Sequence, residues 1–269
     1  MNKNSILFIG TGKMATAIAA GMTANGFDAS QIAAFDISSK AVKDFTIATG
    51  VENAVTNHLE TLLKQADTVI IAVKPQHIEK ALSVNSDLLE NKLIISIAAG
   101  IKIAKLQELT KASRVIRVMP NTPALVGEAA SAWCASPQVT EKDTELINKI
   151  LGAIGTVCNV DEKLMNAVTG VSGSGPAYVL DFIQGLADGG VNAGLPRDVA
   201  MTLAAQTVLG TAKLMLESNR HPAILRDEVT SPGGTTAKAL AVLEKNGFKG
   251  TIIEAVMAAA KRSAELGKK

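Results

Sequence analysis

The run Ile6-Leu7-Phe8-Ile9-Gly10-Thr11-Gly12-Lys13-Met14-Ala15 decides how the first half of the chain is read. Four apolar residues without alternation lead into G-x-G-x-x-A, and an alanine-rich segment of helical period follows at once. The pattern predicts a strand, a tight turn and a helix start. Gly10 permits the turn, Gly12 lets backbone amides approach a pyrophosphate, and Ala15 is small enough for the helix to pack on the strand. The free amides and positive end of the helix would hold the anion, with Thr11, Lys13 and Met14 contributing backbone. The alternative is a tight βα turn with no ligand; the motif's place at the head of a βαβ pattern favours a dinucleotide.

Outward from this motif, strand-like runs at Ile6–Gly10, Ile32–Asp36, Thr68–Val73, Leu93–Ala98, Val115–Met119, Ser131–Ala135 and Val157–Val160 alternate with helix-like stretches. The latter lie near 13–25, 40–49, 58–65, 76–89, 102–110 and 141–153. Runs such as TVIIAV and LIISIA are apolar throughout, as strands covered on both faces should be. The spacing predicts right-handed βαβ units and a doubly wound, mostly parallel sheet: a Rossmann-type α/β domain over residues 1–160. After Asp161 the strand signals stop. Residues 161–269 read as helices punctuated by SGSGPAY, AGLPRD, NRHPAI, TSPGGTT and NGFKG, an all-α second domain. Leu195-Pro196, Ser231-Pro232 and His221-Pro222 suit places where Pro opens a new helix. The stretch Asp198–Leu216 is apolar on more than one face and is expected to build an oligomer interface.

Length and composition agree with two domains: the 269 residues match two units of roughly 100–200 each. Lys and Arg total 27 against 25 Asp and Glu, so no broad positive field argues for nucleic acid as a partner. With 47% apolar and 19% charged residues the chain is not disordered. No unbroken run approaches the roughly 18 apolar residues of a membrane span, and no membrane partner is expected. The N-terminal segment lacks the basic and apolar regions of a signal peptide, and Cys134 and Cys158 read as two buried reduced thiols. Together they predict a cytoplasmic protein.

The cofactor's identity stays open at this level. Asp36 ends the second strand, where an acidic residue would bond the ribose hydroxyls of NAD. Ser38, Ser39 and Lys40 follow and could bind a 2′-phosphate, while Ser38 also suits a helix N-cap. At the carboxyl ends of central strands lie Val73-Lys74-Pro75 and Met119-Pro120-Asn121-Thr122-Pro123. Lys74 is either a solvated charge or a cofactor contact; Asn121 and Thr122 form either a rigid turn or the rim that presents a nicotinamide. In the helical half, Ser172–Tyr178 and Thr230–Thr236 each combine hydroxyls and glycines ahead of a helix. Ordinary capping explains part of this, and a small carboxylate could take several amide and hydroxyl bonds at the second loop.

What is missing narrows the chemistry. His58, His77 and His221 lack metal-ligand spacing, no HExxH, GxSxG or Walker lysine occurs, and no metal is expected. No acid–base dyad is evident in the second half. A hydride transfer with little need of a general base fits reduction of a C=N bond, because an imine protonated on nitrogen already has an electrophilic carbon.

Taken in order, Gly10-x-Gly12-x-Met14-Ala15, Ala72-Val73-Lys74-Pro75, Ser96-Ile97-Ala98-Ala99-Gly100, Met119-Pro120-Asn121-Thr122-Pro123, Gly173-Ser174-Gly175-Pro176-Ala177-Tyr178 and Ser231-Pro232-Gly233-Gly234-Thr235-Thr236 resemble the pyrroline-5-carboxylate reductase family over essentially the whole chain. The resemblance implies NAD(P)H-dependent reduction of 1-pyrroline-5-carboxylate to L-proline, with NADPH first and NADH as a second donor. It also implies a homodimer through the helical domain, often built into a decamer. Carried over by motif, Gly10 to Ala15 would hold the pyrophosphate, Ser38 the adenosine ribose or its phosphate, and Asn57 a ribose. Val73, Lys74, Pro75, Ala98 and Ala99 would line the cofactor groove, and Asn121 and Thr122 its nicotinamide end. Ser231, Gly233, Gly234 and Thr235 would bind the substrate carboxylate. The Thr236 hydroxyl would bond the ring nitrogen and deliver a proton. The chain departs from the family at Lys13, at Asp36, and at Asn219, near which some members carry a glutamate. A β-hydroxyacid dehydrogenase would need a lysine soon after the SGSGPAY loop, and none occurs before Lys213. A non-catalytic nucleotide sensor would leave TSPGGTT without a purpose.

Overall fold

Strand order is the feature that positions everything else. In the computed structural model, which describes residues 5–267, eight strands form one sheet: β1 (Ile6–Ile9), β2 (Ile32–Phe35), β3 (Ala54–Val55), β4 (Thr68–Ile71), β5 (Leu93–Ser96), β6 (Val115–Met119), β7 (Ala129–Ala135) and β8 (Gly155–Asn159). Their order is β3-β2-β1-β4-β5-β6-β7-β8, and every neighbouring pair is parallel except β6 with β7. The order reverses between β1 and β4, which is where a doubly wound sheet opens its ligand crevice. This is the expected Rossmann architecture.

Helices cover both faces of the sheet. They are α1 (Lys13–Ala24), α2 (Ser39–Thr49), α3 (Leu59–Gln65), α4 (Ile78–Leu82), α5 (Ser86–Leu89), α6 (Ile103–Thr110), α7 (Glu141–Gly152) and α8 (Met165–Val168). Phe8, Ile18, Met22, Phe45 and Ile150 pack on one side, and Leu7, Ile9, Leu63, Leu82 and Leu106 on the other. Both faces are dry, so β1 and β4 carry no polar alternation. Further along come α9 (Gly175–Asn192), α10 (Arg197–Ser218), α11 (Pro222–Glu228), α12 (Thr235–Lys245) and α13 (Phe248–Leu266).

The chain divides into two compact units elsewhere than at the loss of strand signal. One unit runs through Gly173 and takes the chain up again from Ala258; the other is Ser174–Met257. Met165 of α8 is buried with the sheet residues, which draws this segment into the first unit. At the far end of the chain, the Ser263 hydroxyl donates to Asn166 Oδ1 at 2.9 Å, and the backbone of Gly267 lies against that of Gly100. In the second unit α9 and α10 meet through Ala187, Ala200 and Ala204.

Several expectations need correction. The two-residue β3 was not expected, because Ala54-Val55 is too short to show a period. The helix expected over 76–89 is broken into α4 and α5 with 3₁₀ turns around them, since Pro75, Ser83, Asn85 and Ser86 favour turns over helix interior. β7 and β8 begin two residues early, at Ala129 and Gly155, which pair with each other. A Cβ on Gly155 would lie 2.2 Å from the Ala129 carbonyl oxygen, so the pairing requires a glycine there. Pro232 does not open a helix: α12 starts three residues later, with Gly234 as its N-cap. Cys134 is buried, but Cys158 is exposed, because β8 is the edge strand. Finally, α10 is long and apolar enough to cross a membrane by length and composition, with a mean hydropathy of 1.4 over its best window and 11% of that window buried. Threonines, a glutamine and a glycine interrupt its apolar runs, which is why unbroken-run counting passes over it.

Candidate active site

The residues expected to hold a nucleotide come from six adjacent strands and share one edge of the sheet. Gly10 to Ala15 follow β1, Asp36 and Ser38 follow β2, Asn57 follows β3, Val73 to Pro75 follow β4, Ala98 and Ala99 follow β5, and Asn121 and Thr122 follow β6. Parallel strands put all these turns at their carboxyl ends.

Local physics explains the turn after β1. Gly10 has φ +99°, a conformation L side chains rarely adopt, and its amide donates to the Phe35 carbonyl at 2.8 Å. Gly12 is the N-cap of α1 with φ −69° and no side chain caps the helix, so the first-turn amides are left for an anion. A Cβ on Gly12 would meet nothing within 4 Å, whereas one on Gly10 would strike the backbone of Ala72. Thr11 is 3% exposed, and its hydroxyl has no hydrogen-bond partner among the described residues. An open face at Gly12, uncapped amides and an orphaned buried hydroxyl are what a bound pyrophosphate would complete. The residues present fit a dinucleotide.

Asp36 does not stand free as a ribose ligand. Its Oδ2 accepts from the Thr11 amide at 2.8 Å and its Oδ1 from the Ser38 amide at 2.9 Å. Ser38 caps α2, its hydroxyl accepting from the Ala41 amide at 3.3 Å. Ile37 is 89% exposed between them, an apolar side chain left in solvent at the carboxyl edge of the sheet, and as a single apolar residue in a turn it carries no period that would mark it in the sequence.

The remaining rim residues separate by burial. Lys74 and Ala99 are exposed, and Ala98 is buried in the core, so only its backbone is available to a ligand. Asn57 is exposed in the turn ahead of α3. Asn121 is buried, its Oδ1 accepting from the Ala130 amide at 2.9 Å, which makes it the peg of a rigid turn, while Thr122 is exposed. Met119, just ahead of that turn, packs its methyl group against Gly173, where a Cβ would come within 2.4 Å. Gly173 ends a π-helical turn over Thr169–Gly173 that leads into α9. Such turns concentrate at functional places.

In the second unit the TSPGGTT loop ends at Gly234, the N-cap of α12, and no side chain caps this helix either. The Gly234 amide donates to the Ser231 carbonyl at 3.0 Å, and Gly233 has φ +72°. A Cβ on Gly234 would sit 2.3 Å from Ser231 Oγ, so the hydroxyl lies directly over a bare backbone. Ordinary capping, the alternative to a ligand at this loop, is not made by its hydroxyls. Thr235 is exposed and Thr236 half-buried, on the first turn of an anion-favouring helix end. Asn219, the other position of interest, is the left-handed C-cap of α10 with φ +50°.

Comparison with known proteins matches two stretches of the chain to two family models. Residues 162–266 match the family model described as pyrroline-5-carboxylate reductase dimerisation, and residues 5–100 match the one described as NADP oxidoreductase, coenzyme F420-dependent. A pyrroline-5-carboxylate reductase of Arabidopsis thaliana is 48% identical over 261 residues, covering 96% of this chain and 94% of that protein. The chain belongs to the pyrroline-5-carboxylate reductase family. Among solved structures, the pyrroline-5-carboxylate reductase of Coxiella burnetii superposes with a TM-score of 0.93 at 36% identity, covering 100% of both chains. The Plasmodium falciparum pyrroline carboxylate reductase, solved with NADP bound, gives 0.87 at 36% identity and 99% coverage of each.

Proposed function

We propose that the protein is an NADPH-dependent reductase converting 1-pyrroline-5-carboxylate to L-proline. The observation that carries this reading is the TSPGGTT loop, in which glycines and hydroxyls open an uncapped helix in a chain whose family reduces this imine. Gly10 to Ala15 hold the pyrophosphate through the α1 amides, with the Ser38 turn at the adenosine ribose phosphate and Asn57 at a ribose. Val73, Lys74, Pro75, Ala98 and Ala99 line the groove, and Asn121 fixes the turn from which Thr122 meets the nicotinamide end. NADPH, when bound, would supply the hydride that the C=N carbon takes as the π electrons return to nitrogen.

The chain's own residues do the rest. The amides of Gly233 and Thr235, with the Ser231 hydroxyl over the bare Gly234 backbone, hold the substrate carboxylate. Thr236 hydrogen-bonds the ring nitrogen and keeps a proton there as the C=N bond becomes single. Binding the two reactants in register accounts for most of the rate, because the protonated imine needs no base to activate it. The test is to mix the purified protein with pyrroline-5-carboxylate and NADPH or NADH, follow loss of the reduced nucleotide, and identify proline as product. No consumption with either nucleotide would overturn the reading.

The assembly belongs to the same proposal. The second unit leaves Leu180, Leu209, Leu216 and Met257 more than half exposed, a large apolar surface for a soluble monomer. A second copy of the chain covers it, and its family match to a dimerisation module supports this. Light scattering in solution distinguishes the dimer from a decamer. Two free cysteines suit a reducing compartment and support a cytoplasmic location.

A further inference from the structure

An acidic residue at the end of the second strand of a dinucleotide fold ordinarily selects the unphosphorylated ribose. Asp36 occupies that place, and its geometry assigns it different work. The Thr11 amide donates to Oδ2 at 2.8 Å and the Ser38 amide to Oδ1 at 2.9 Å, so each oxygen is engaged by a different turn. Thr11 lies inside the glycine loop after β1, and Ser38 opens α2. One residue earlier, the Phe35 carbonyl accepts from the Gly10 amide at 2.8 Å. Three hydrogen bonds therefore tie the glycine loop and the α2 turn to the end of β2, and two of them run through one carboxylate. Beyond it, Ile37, Ser38, Ser39 and Lys40 are exposed, and Lys40 pairs with Asp44, an exposed pair worth little.

We propose that Asp36 is a positioning residue for the glycine loop, serving NADPH and NADH alike, and does not select against the 2′-phosphate. A carboxylate held by two amide donors has its charge partly offset and its plane fixed. The choice at the ribose then falls to the exposed Ser38–Lys40 turn, whose hydroxyls and ammonium favour a phosphate. This rests on the dinucleotide reading given above.

Asp36→Asn separates the two roles. Asparagine keeps the size but offers one oxygen, and its NH2 must face the second amide. Losing one charge-assisted bond of this kind is expected to weaken binding of both NADPH and NADH about tenfold, with their ratio held within about threefold and kcat within about twofold. A selector would behave differently: removing its charge would tighten NADPH relative to NADH tenfold or more, and that result overturns the proposal, as does unchanged affinity for both. Where the variant fails to fold, the wild-type protein supplies the test. There 2′,5′-ADP is expected to compete with NADPH more tightly than 5′-ADP; the reverse order would overturn the proposal while leaving nucleotide binding intact. Binding of neither nucleotide overturns the dinucleotide reading itself, and the proposal with it.

Discussion

A methyl group on Gly10 would lie 2.8 Å from both the carbonyl carbon and the carbonyl oxygen of Ala72, at the point where β1 and β4 end side by side. Both strands sit in the middle of the sheet with helices on each face, so neither has room to withdraw. Two glycines two residues apart therefore have different duties. Gly10 is required by the fold, whereas Gly12 has nothing within 4 Å of its missing Cβ, the open face that the proposed function gives to the pyrophosphate.

Gly10→Ala adds the strain of φ +99° to this clash and is expected to destabilise the protein by on the order of 3 kcal/mol. Gly12→Ala, at φ −69°, is expected to stay within about 1 kcal/mol of wild type. Thermal unfolding with and without NADPH separates them: the wild type gains melting temperature with the nucleotide, and Gly12→Ala does not. A normal NADPH-dependent shift in Gly12→Ala would disprove the assignment of that open face to the pyrophosphate.

Thr236→Ala is expected to lower kcat about a hundredfold while leaving the NADPH dissociation constant unchanged, because the hydroxyl lies on α12 and not in the nucleotide loops. Steady-state kinetics alongside direct nucleotide titration provide the check. Parallel losses in both would remove Thr236 from the reacting centre.

Asp143 anchors the opposite edge of the sheet. Its Oδ1 accepts from Arg114 at 2.9 Å, and its Oδ2 accepts from the amide and hydroxyl of Thr140, each at 2.9 Å. The same residue thus closes the capping box of α7 and neutralises an arginine that is only 32% exposed. Asp143→Ala removes both at once, with an expected loss of about 3 kcal/mol in urea unfolding. Below its melting temperature the variant should retain wild-type KM for both substrates. A change in KM with unchanged stability would contradict this purely structural role.

The two cysteines should differ in reactivity. Burial, with a smaller contribution from Glu162, raises the Cys134 thiol from 9.0 to about 11, whereas Cys158 is exposed on the edge strand. One thiol per chain is expected to react with a disulfide reagent at neutral pH, and two after unfolding in urea. Since the folded value exceeds the unfolded one, the protonated Cys134 contributes its full stability below about pH 9, and that contribution is lost as pH rises towards 11. Rapid labelling of both thiols in the native protein would show that Cys134 is not sealed.

Much of the first unit was legible before any coordinates. Apolar runs such as Ile6–Ile9 and Thr68–Ile71 lack alternation because both faces of their strands are covered, so burial writes itself into composition. The glycine loop was legible for a similar reason, as few residues tolerate its backbone. Short elements were not. Ala54-Val55 pairs with β2 through its backbone, which leaves no mark on residue choice. The break inside 76–89 reflects competition between local turns and helix, whose outcome depends on the packing of Ile78, Leu82 and Leu89.

The order of amino acids alone determined the longer strands and helices, the glycine turn after β1 and the family to which the motifs point, because each is encoded by neighbours within a few residues. Only the folded chain decided what Asp36 does. Its two partners, Thr11 and Ser38, lie 25 residues before it and two after, and the turns that carry them are brought to a single carboxylate by strand pairing. The tertiary structure likewise decided that Gly234 and not a hydroxyl heads α12, and that residues 258–267 return to the first unit. Hydrogen-bond geometry and close backbone contact arise between segments distant in sequence, and no local pattern records them.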